Sequence, residues 1–199
     1  MSEFITTRAI SAFLLLCASF SAAARDAPSE FFDERSGATV TVVHEALTFS
    51  RVRLNVHDSD RDYVGLVAAQ VDRSGHLQLY LIAYCWTRVD PRSLSQPDLA
   101  VPAGTLILTA DNRQMQFLPI DEVPKELQDG RKLLNQGAFY TPLVYSVTLE
   151  SLRAIAKSKD LLLSFGAGPE DAPADTFELW EGQQALRPFV ELLESPGIG

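Results

Sequence analysis

The chain has 199 residues, with 26 acidic and 17 basic side chains and a net charge of -9 at pH 7. Nucleic-acid binding needs a basic surface, and binding to anionic lipid headgroups needs clustered Lys and Arg, so this composition argues against both partners. The length suits one hydrophobic core, and we therefore expect one domain.

The N-terminal stretch "AFLLLCASFSAAAR" reads as a cleaved leader. Its apolar run, Ala9 to Phe20, is shorter than the roughly 20 residues that a membrane-spanning helix needs. Arg8 precedes the run and small residues follow it, as a signal peptidase requires. We predict a signal peptide over 1–24, a periplasmic or secreted protein, and no integral membrane span in the mature chain. A lipid-modified Cys17 is the alternative.

Residues 38–119 have the alternating pattern of strands. The most secure hairpin joins two strand-like runs through the turn "DRSG", Asp72 to Gly75, because glycine tolerates the left-handed backbone of a tight turn. A second hairpin is predicted to turn at Asp111 and Asn112. The predicted strands are "ATVTVV", "SRVRLNV", "YVGLVAAQV" and "HLQLYLIAYCWTRV", with the second hairpin in "GTLILTADNRQMQFLP".

The strand "HLQLYLIAYCWTRV" carries the candidate binding residues Tyr80, Tyr84 and Trp86 on one face. Two interpretations stay open: both faces of the strand are covered, or these aromatics are presented to a partner. Cys85 lies on the opposite, aliphatic face and is predicted to be an inert core thiol, with a nucleophile as the alternative. Cleavage after Ala24 leaves Cys85 without a second cysteine, so no intramolecular disulfide is expected.

The last third of the chain mixes strands and helices. Thr148 is predicted to cap a helix over "LESLRAIAK", and "QQALRPFVELL" to form a closing helix that contains Pro188. The segments "YTPLVYSV", "DLLLSFG" and "TFELWE" read as strands. A weak helix is predicted within 121–137, and the Pro-rich stretches 90–104 and 166–175 are expected to be flexible.

Together these elements predict an α+β fold, mainly antiparallel sheet with a few late helices packed on it. We divide the chain into a signal peptide (1–24), an N-terminal extension (25–37), a single α+β domain (38–194) and a flexible tail (195–199).

Metal and catalytic motifs are incomplete. In "HDSDRDY", Asp58, Asp60 and Asp62 alternate as calcium ligands do, but Tyr63 and Ala69 occupy the places of the loop's glycine and bidentate glutamate. A polar turn explains the same residues. His44 and Glu45 begin a zinc-peptidase pattern that lacks its second histidine, so no metal or cofactor is predicted.

The tail "VYSVTLESLRAIAKSKDLLLSFG" followed by "FELWEGQQALRPFVELL" resembles the ends of uncharacterised exported bacterial proteins. The resemblance covers about 55 residues and is carried by generic strand and helix patterns. It implies that a strand, a helix, two strands and a final helix close an α+β domain. It implies no activity and transfers no functional residue.

The leading hypothesis is therefore an exported binding or accessory protein of the bacterial cell envelope, with Tyr80, Tyr84 and Trp86 facing an envelope protein or a small molecule. An extracytoplasmic hydrolase, with His44 or His57 as its base, is a second hypothesis. A calcium-stabilised module is the third. The missing catalytic motifs favour a binding protein over an enzyme.

Overall fold

The computed structural model describes residues 27–52, 61–88, 104–128, 142–166 and 176–195. Within these ranges, strands and two helices form an α+β fold that is mostly antiparallel sheet, with both helices late in the chain. The strands are β1 (Ser29–Asp33), β2 (Ala38–Val42), β3 (Leu47–Val52), β4 (Arg61–Arg73), β5 (His76–Arg88), β6 (Thr105–Ala110), β7 (Arg113–Phe117), β8 (Leu143–Val147), β9 (Leu161–Gly166) and β10 (Thr176–Glu181). The helices are α1 (Leu149–Lys157) and α2 (Gln183–Glu194), and Lys125–Leu127 form a 3-10 turn.

The hairpin of β4 and β5 joins the two longest described strands, which have 13 residues each. Ser74 and Gly75 both have positive φ, at 55° and 86°, which is the two-residue turn that matches the twist of paired strands. The Asp72 carboxylate accepts a 2.7 Å hydrogen bond from the Gly75 amide and closes the turn. The predicted hairpin is confirmed, and its register places Tyr63 opposite Trp86.

The second predicted hairpin is also confirmed. Asp111 and Asn112 have positive φ, at 46° and 70°, and join β6 to β7. The Asp111 carboxylate accepts hydrogen bonds from the amides of Lys159 and Asp160. This turn therefore also fixes the start of β9.

The other edge of β4 is shared by two strands placed end to end. Residues Arg61 to Leu66 pair with β3, and Ala69 to Asp72 pair with β2. Between them, the Val43 amide donates to the Ala68 carbonyl. Strand β1 then extends the sheet beyond β2. No strand is predicted by the sequence pattern in this part of the range 25–37.

The sheet curls back on itself. From β3 the order runs through β10, β9 and β6 to β7, while on the other side β5 pairs with β8. Pro119, just after β7, forms an antiparallel bridge with Tyr145 of β8, and the Ile120 amide donates to the Val144 carbonyl. Eight strands therefore form a continuous ring, and the long strands β4 and β5 have buried residues on both faces, as Leu66 and Val67 show.

The two helices lie at one end of this ring, which we call the helix end. The chain enters α1 from β8 and α2 from β10 there. The Gln183 side chain donates to the carbonyls of Ile155 and Ser158, and Arg153 pairs with Glu194, so the helices are antiparallel. Their buried residues belong to the core; they are Leu152, Ile155, Ala156, Ala185, Leu186, Phe189 and Val190.

The opposite, distal end of the ring is where β3, β5 and β9 finish and β4, β6 and β10 begin. The register pairs Val52 with Arg61, and Arg61 with Arg88, at this end. It also pairs Thr105 with Gly166. Residues 53–60, 89–103 and 167–175 follow these strand ends and lie outside the described residues.

Local predictions in the last third of the chain are confirmed where the structure describes them. Thr148 is the N-cap of α1, and its hydroxyl accepts a 3.2 Å hydrogen bond from the Ser151 amide. The stretch "TFELWE" is β10, and Pro188 lies inside α2. Of the segment 121–137, where a weak helix was predicted, the structure describes residues 121–128, which contain the 3-10 turn. Residues 129–141 and 89–103, which include the rest of that segment and most of the Pro-rich stretch, lie outside the described ranges.

Strand β3 begins at Leu47, before the predicted "SRVRLNV", whose last four residues lie outside the described part of the chain. Neither described helix is long and apolar enough to cross a lipid bilayer.

Candidate functional site

Tyr80 and Tyr84 are not exposed. The two residues are 6% and 7% exposed to solvent. Of the two interpretations of this strand face, burial therefore holds for these two residues. Trp86 is half-buried. Burial raises the pKa of Tyr84 to about 12, and its buried hydroxyl has no hydrogen-bond partner among the described residues.

Trp86 stacks face to face on Tyr63 of the neighbouring strand. The ring centroids are 5.4 Å apart and the ring planes differ by 6°, a contact worth about 0.5–1.5 kcal/mol beyond the burial of its area. A Cβ at Gly65 would lie 3.1 Å from the Trp86 ring. The absent side chain at Gly65 therefore lets this ring lie close to β4.

The aromatic surface continues across the sheet through Arg61. Its guanidinium carbon lies 5.1 Å from the ring centroid of Trp180 on β10, within the range of cation–π attraction. Its Nη1 donates a hydrogen bond of 3.5 Å to the Ser50 hydroxyl. Trp180 is 56% exposed.

We call Trp86, Tyr63, Arg61 and Trp180 the aromatic–arginine ladder. Tyr63 and Arg61 are two residues apart on β4 and so share one face. The register places both Trp86 and Ser50 opposite Tyr63, which extends this face onto β5 and β3. The ladder thus runs across one face of the sheet near its distal end.

The other face at the same end carries an ion pair. Arg51 donates from Nε and Nη2 to Asp62 Oδ2, at 3.1 and 2.9 Å. The Arg51 guanidinium also lies 4.8 Å from the Phe177 ring centroid, and Phe177 meets Phe165 edge to face. Asp62 is buried.

This ion pair changes the interpretation of the calcium motif. The Asp62 carboxylate is neutralised by Arg51 within the sheet, while Asp58, Asp60 and His57 lie outside the described residues. No group of three His, Cys, Asp or Glu side chains within the described ranges is arranged to hold a metal ion. Calcium stabilisation stays a prediction about the segment 53–60.

Cys85 lies on the face that contains Val64. Burial, together with the nearby Asp62 carboxylate, raises the pKa of the Cys85 thiol to about 12. The thiol is therefore protonated at neutral pH, whereas the thiolate is the reactive nucleophile. This supports the prediction of an inert cysteine.

The two described histidines are on separate connections. His44 follows Val43 at the junction of β2 and β3, and His76 begins β5 at the hairpin turn; both are exposed. Neither has a hydrogen bond to an acid or a hydroxyl nucleophile in the described part of the chain. The positions of these two histidines therefore do not support the hydrolase hypothesis.

A second polar cluster lies at the other end of β4 and includes Tyr80. The Tyr80 hydroxyl and Arg73 Nη1 both donate to Gln78 Oε1 at 2.9 Å. Arg73 also makes two hydrogen bonds to the Glu126 carboxylate, at 3.0 and 2.7 Å. The Glu126 side chain is 1% exposed and that of Arg73 40% exposed.

The charges of this cluster stabilise each other. Hydrogen bonding from Arg73 lowers the pKa of Glu126 from its ordinary value of 4.5 to about 2, against the opposing effect of burial. The same hydrogen bond raises the pKa of Arg73. Burial raises the pKa of Tyr80, partly offset by Arg73.

Comparisons with known proteins found no relative: no protein family, curated protein or solved structure matches the chain.

Of the four ladder residues, only Trp86 is a binding residue predicted from the sequence; Tyr63, Arg61 and Trp180 were not predicted. The pairing of Tyr63 with Trp86 was available, because the two-residue turn at Ser74 and Gly75 fixes the register of the hairpin. The contact of Arg61 with Trp180 depends on β3 and β10 becoming neighbours. No local pattern encodes that pairing.

Proposed function

We propose that this chain is an exported binding protein of the bacterial cell envelope, and that the aromatic–arginine ladder binds its partner, a second protein. The observation that carries the proposal is the ladder itself, which ends in a tryptophan more than half exposed on a strand.

The residue types of the ladder support a protein partner. Trp, Tyr and Arg dominate the binding energy of protein interfaces, since they combine a large apolar area with a polar or charged tip. Trp86 on Tyr63 and Arg61 on Trp180 hold four such side chains in defined positions before any partner arrives. Preorganised side chains lose less conformational entropy on binding.

Export is supported by the sequence alone. The short apolar leader over 1–24 ends in small residues, and the negative net charge argues against partners with phosphate backbones. N-terminal sequencing of the protein purified from its native cells should begin at Arg25. Recovery of the uncut chain from the cytosol would contradict the export part of the proposal.

The binding part is tested by photo-cross-linking in cells. A photoreactive amino acid replaces Val52, which is exposed and lies opposite Arg61, or Leu77, which is equally suitable by exposure but lies at the hairpin turn. We expect one envelope protein to be captured from position 52 and not from position 77. Adding Trp180→Ala should reduce that capture about tenfold, as the loss of an interface hot spot does.

The captured protein is then purified and titrated into this chain. The chain has two tryptophans, Trp86 and Trp180, and both belong to the ladder, so intrinsic fluorescence reports on the proposed site. A saturable change in emission, absent for an unrelated envelope protein, is expected. Identical capture from positions 52 and 77, or capture unchanged by Trp180→Ala, would overturn the proposal.

A further inference from the structure

A pocket of about 440 Å³ lies between the turn that joins β1 to β2 and the 3-10 turn. This volume falls in the range of sites that hold small molecules, about 300–1,000 Å³. The pocket lies at the far end of β4 from the ladder: ten residues separate Tyr63 from Arg73, or about 33 Å of strand. The described residues that line it are Phe31, Asp33, Arg35, Ser36, Lys125, Glu126 and Gln128.

The two carboxylates of the lining are already neutralised or hydrogen-bonded. Asp33 accepts from the Ser36 hydroxyl at 2.9 Å and from the Arg35 amide at 3.3 Å. Glu126 accepts two hydrogen bonds from Arg73. Glu126 is therefore paired with a cation, whereas Asp33 keeps its negative charge; Arg35, Lys125 and Arg73 outnumber the two carboxylates, which leaves this group of five side chains with a net charge of +1.

The two cations of the lining have no such partners. Arg35 and Lys125 are exposed, and neither side chain forms an ion pair within the described part of the chain. A guanidinium offers a planar fork of donors to a carboxylate, and an ammonium adds a point charge. In a chain of net charge -9, two unpaired cations beside one cavity form a local site for an anion.

Phe31 supplies the apolar part of the lining. It is half-buried and packs against the core, so its ring has a fixed place in the wall. Small-molecule sites typically combine such apolar surface with a few placed polar groups. A ligand that fits this lining has an apolar body and one anionic group.

We propose that this pocket binds a small organic carboxylate, with the carboxylate between Arg35 and Lys125 and the apolar body against Phe31. The wall is held before binding by the Arg73–Glu126 ion pair, which fixes the 3-10 turn to β4. The Gly37 amide donates to the Asp33 carbonyl at 2.8 Å and closes the turn on the other side. The site is independent of the proposed protein partner.

The test uses benzoate as the probe, with benzyl alcohol, benzylammonium and inorganic phosphate as matched comparisons. Binding to the full chain is followed by the amide shifts of Ser36 and Gln128 in two-dimensional NMR spectra. Benzoate should saturate these shifts. Benzyl alcohol and inorganic phosphate, which lack the charge or the apolar body, should bind at least about fivefold more weakly, and benzylammonium should not bind.

The double variant Arg35→Gln, Lys125→Gln removes both cations from exposed positions and should weaken benzoate binding at least about fivefold. Lys157→Gln, Lys159→Gln makes the same change in net charge on exposed residues that do not line the pocket and should leave binding unchanged. Equal weakening by both double variants would show that only net charge matters, and would overturn the proposal. So would equal affinity for benzoate and benzyl alcohol.

Discussion

At the scale of single residues, the pair of Arg73 and Glu126 joins parts of the chain that are 53 residues apart. A buried carboxylate is costly unless it is paired, and removal of one partner of a buried pair costs about 3–5 kcal/mol. Because the Glu126 pKa is lowered to about 2, the pair adds stability above the ordinary carboxyl pKa. That contribution is lost as the pH falls from about 4.5 toward 2.

Arg73→Met should lower the free energy of unfolding by about 1–3 kcal/mol at pH 7, less than for a fully buried pair because the Arg73 side chain is 40% exposed. The unpaired Glu126 of this variant becomes easier to protonate, so the deficit relative to wild type should narrow as the pH falls from 7 to 4. Urea unfolding at a series of pH values measures both effects.

Arg113→Met is the matched control. Arg113 pairs with Glu150 at 3.0 Å, but both side chains are more than 60% exposed, and such a pair is worth little in water. We expect a change within about 0.5 kcal/mol. A deficit at Arg73→Met that is equally small, or that does not change with pH, would show that the buried pair is not a stabilising contact.

At the scale of elements, the junction of β10 and α2 depends on one glycine. Gly182 has a φ of 91° and is the N-cap of α2. A Cβ at this position would lie 2.0 Å from the Ala46 carbonyl oxygen. The backbone at the end of β10 therefore contacts the connection between β2 and β3 directly. This contact helps to fix the position at which α2 begins.

Gly182→Ala should lower the free energy of unfolding by about 3 kcal/mol, since it adds a backbone clash to the cost of a left-handed alanine. Gly37→Ala separates the two costs: Gly37 has a φ of 68°, but nothing lies within 4 Å of its added Cβ. We expect about 1 kcal/mol there. Equal losses in the two variants, measured by thermal or urea unfolding, would refute the close approach at Ala46.

Elements with a local cause could be predicted from the sequence. Gly75 marks one hairpin, Asp111 and Asn112 the other, and Thr148 caps α1 through a bond to a residue three positions away. Each depends on side chains that act on their own backbone neighbours. Strand β1 was not predicted because its five residues are exposed or half-buried and show little alternation, and among the described strands it pairs only with β2.

The candidate site could be predicted only in part, for the same reason. Trp86 was singled out because it lies in a strongly alternating strand, whereas Tyr80 and Tyr84 of the same predicted face are buried in the structure. A strand's own pattern shows that its faces differ, and it does not show what packs on them. The positions of Arg61 and Trp180 depend on the pairing of Glu178 with Ser50, which is a property of the whole fold.

At the scale of the whole molecule, the ring of strands and the helices share one core. Leu152 and Leu186 of the helices are in the same buried cluster as Leu66 and Leu108 of the sheet. The bridge at Pro119 and Tyr145 joins the two sides of the ring, and the Tyr145 hydroxyl donates to the Gly104 carbonyl at 3.2 Å. Such an arrangement should unfold as one unit.

We expect a single cooperative transition. Tryptophan fluorescence reports on the ladder near the distal end, and circular dichroism at 222 nm is weighted toward the two helices at the helix end. The two signals should change at the same urea concentration, with the same slope. Separated midpoints would mean that the helices and the distal end of the sheet unfold independently.

The pairing of β3 with β10 also has a consequence for the newly made polypeptide. Strand β3 ends at Val52, and its second neighbour does not begin until Thr176. While the ribosome is still adding the intervening residues, the backbone amides and carbonyls along one edge of β3 lack their β10 hydrogen-bond partners. Unpaired strand edges can form hydrogen bonds with other chains. The nascent protein is therefore at greatest risk of self-association late in translation, just before its final strand emerges.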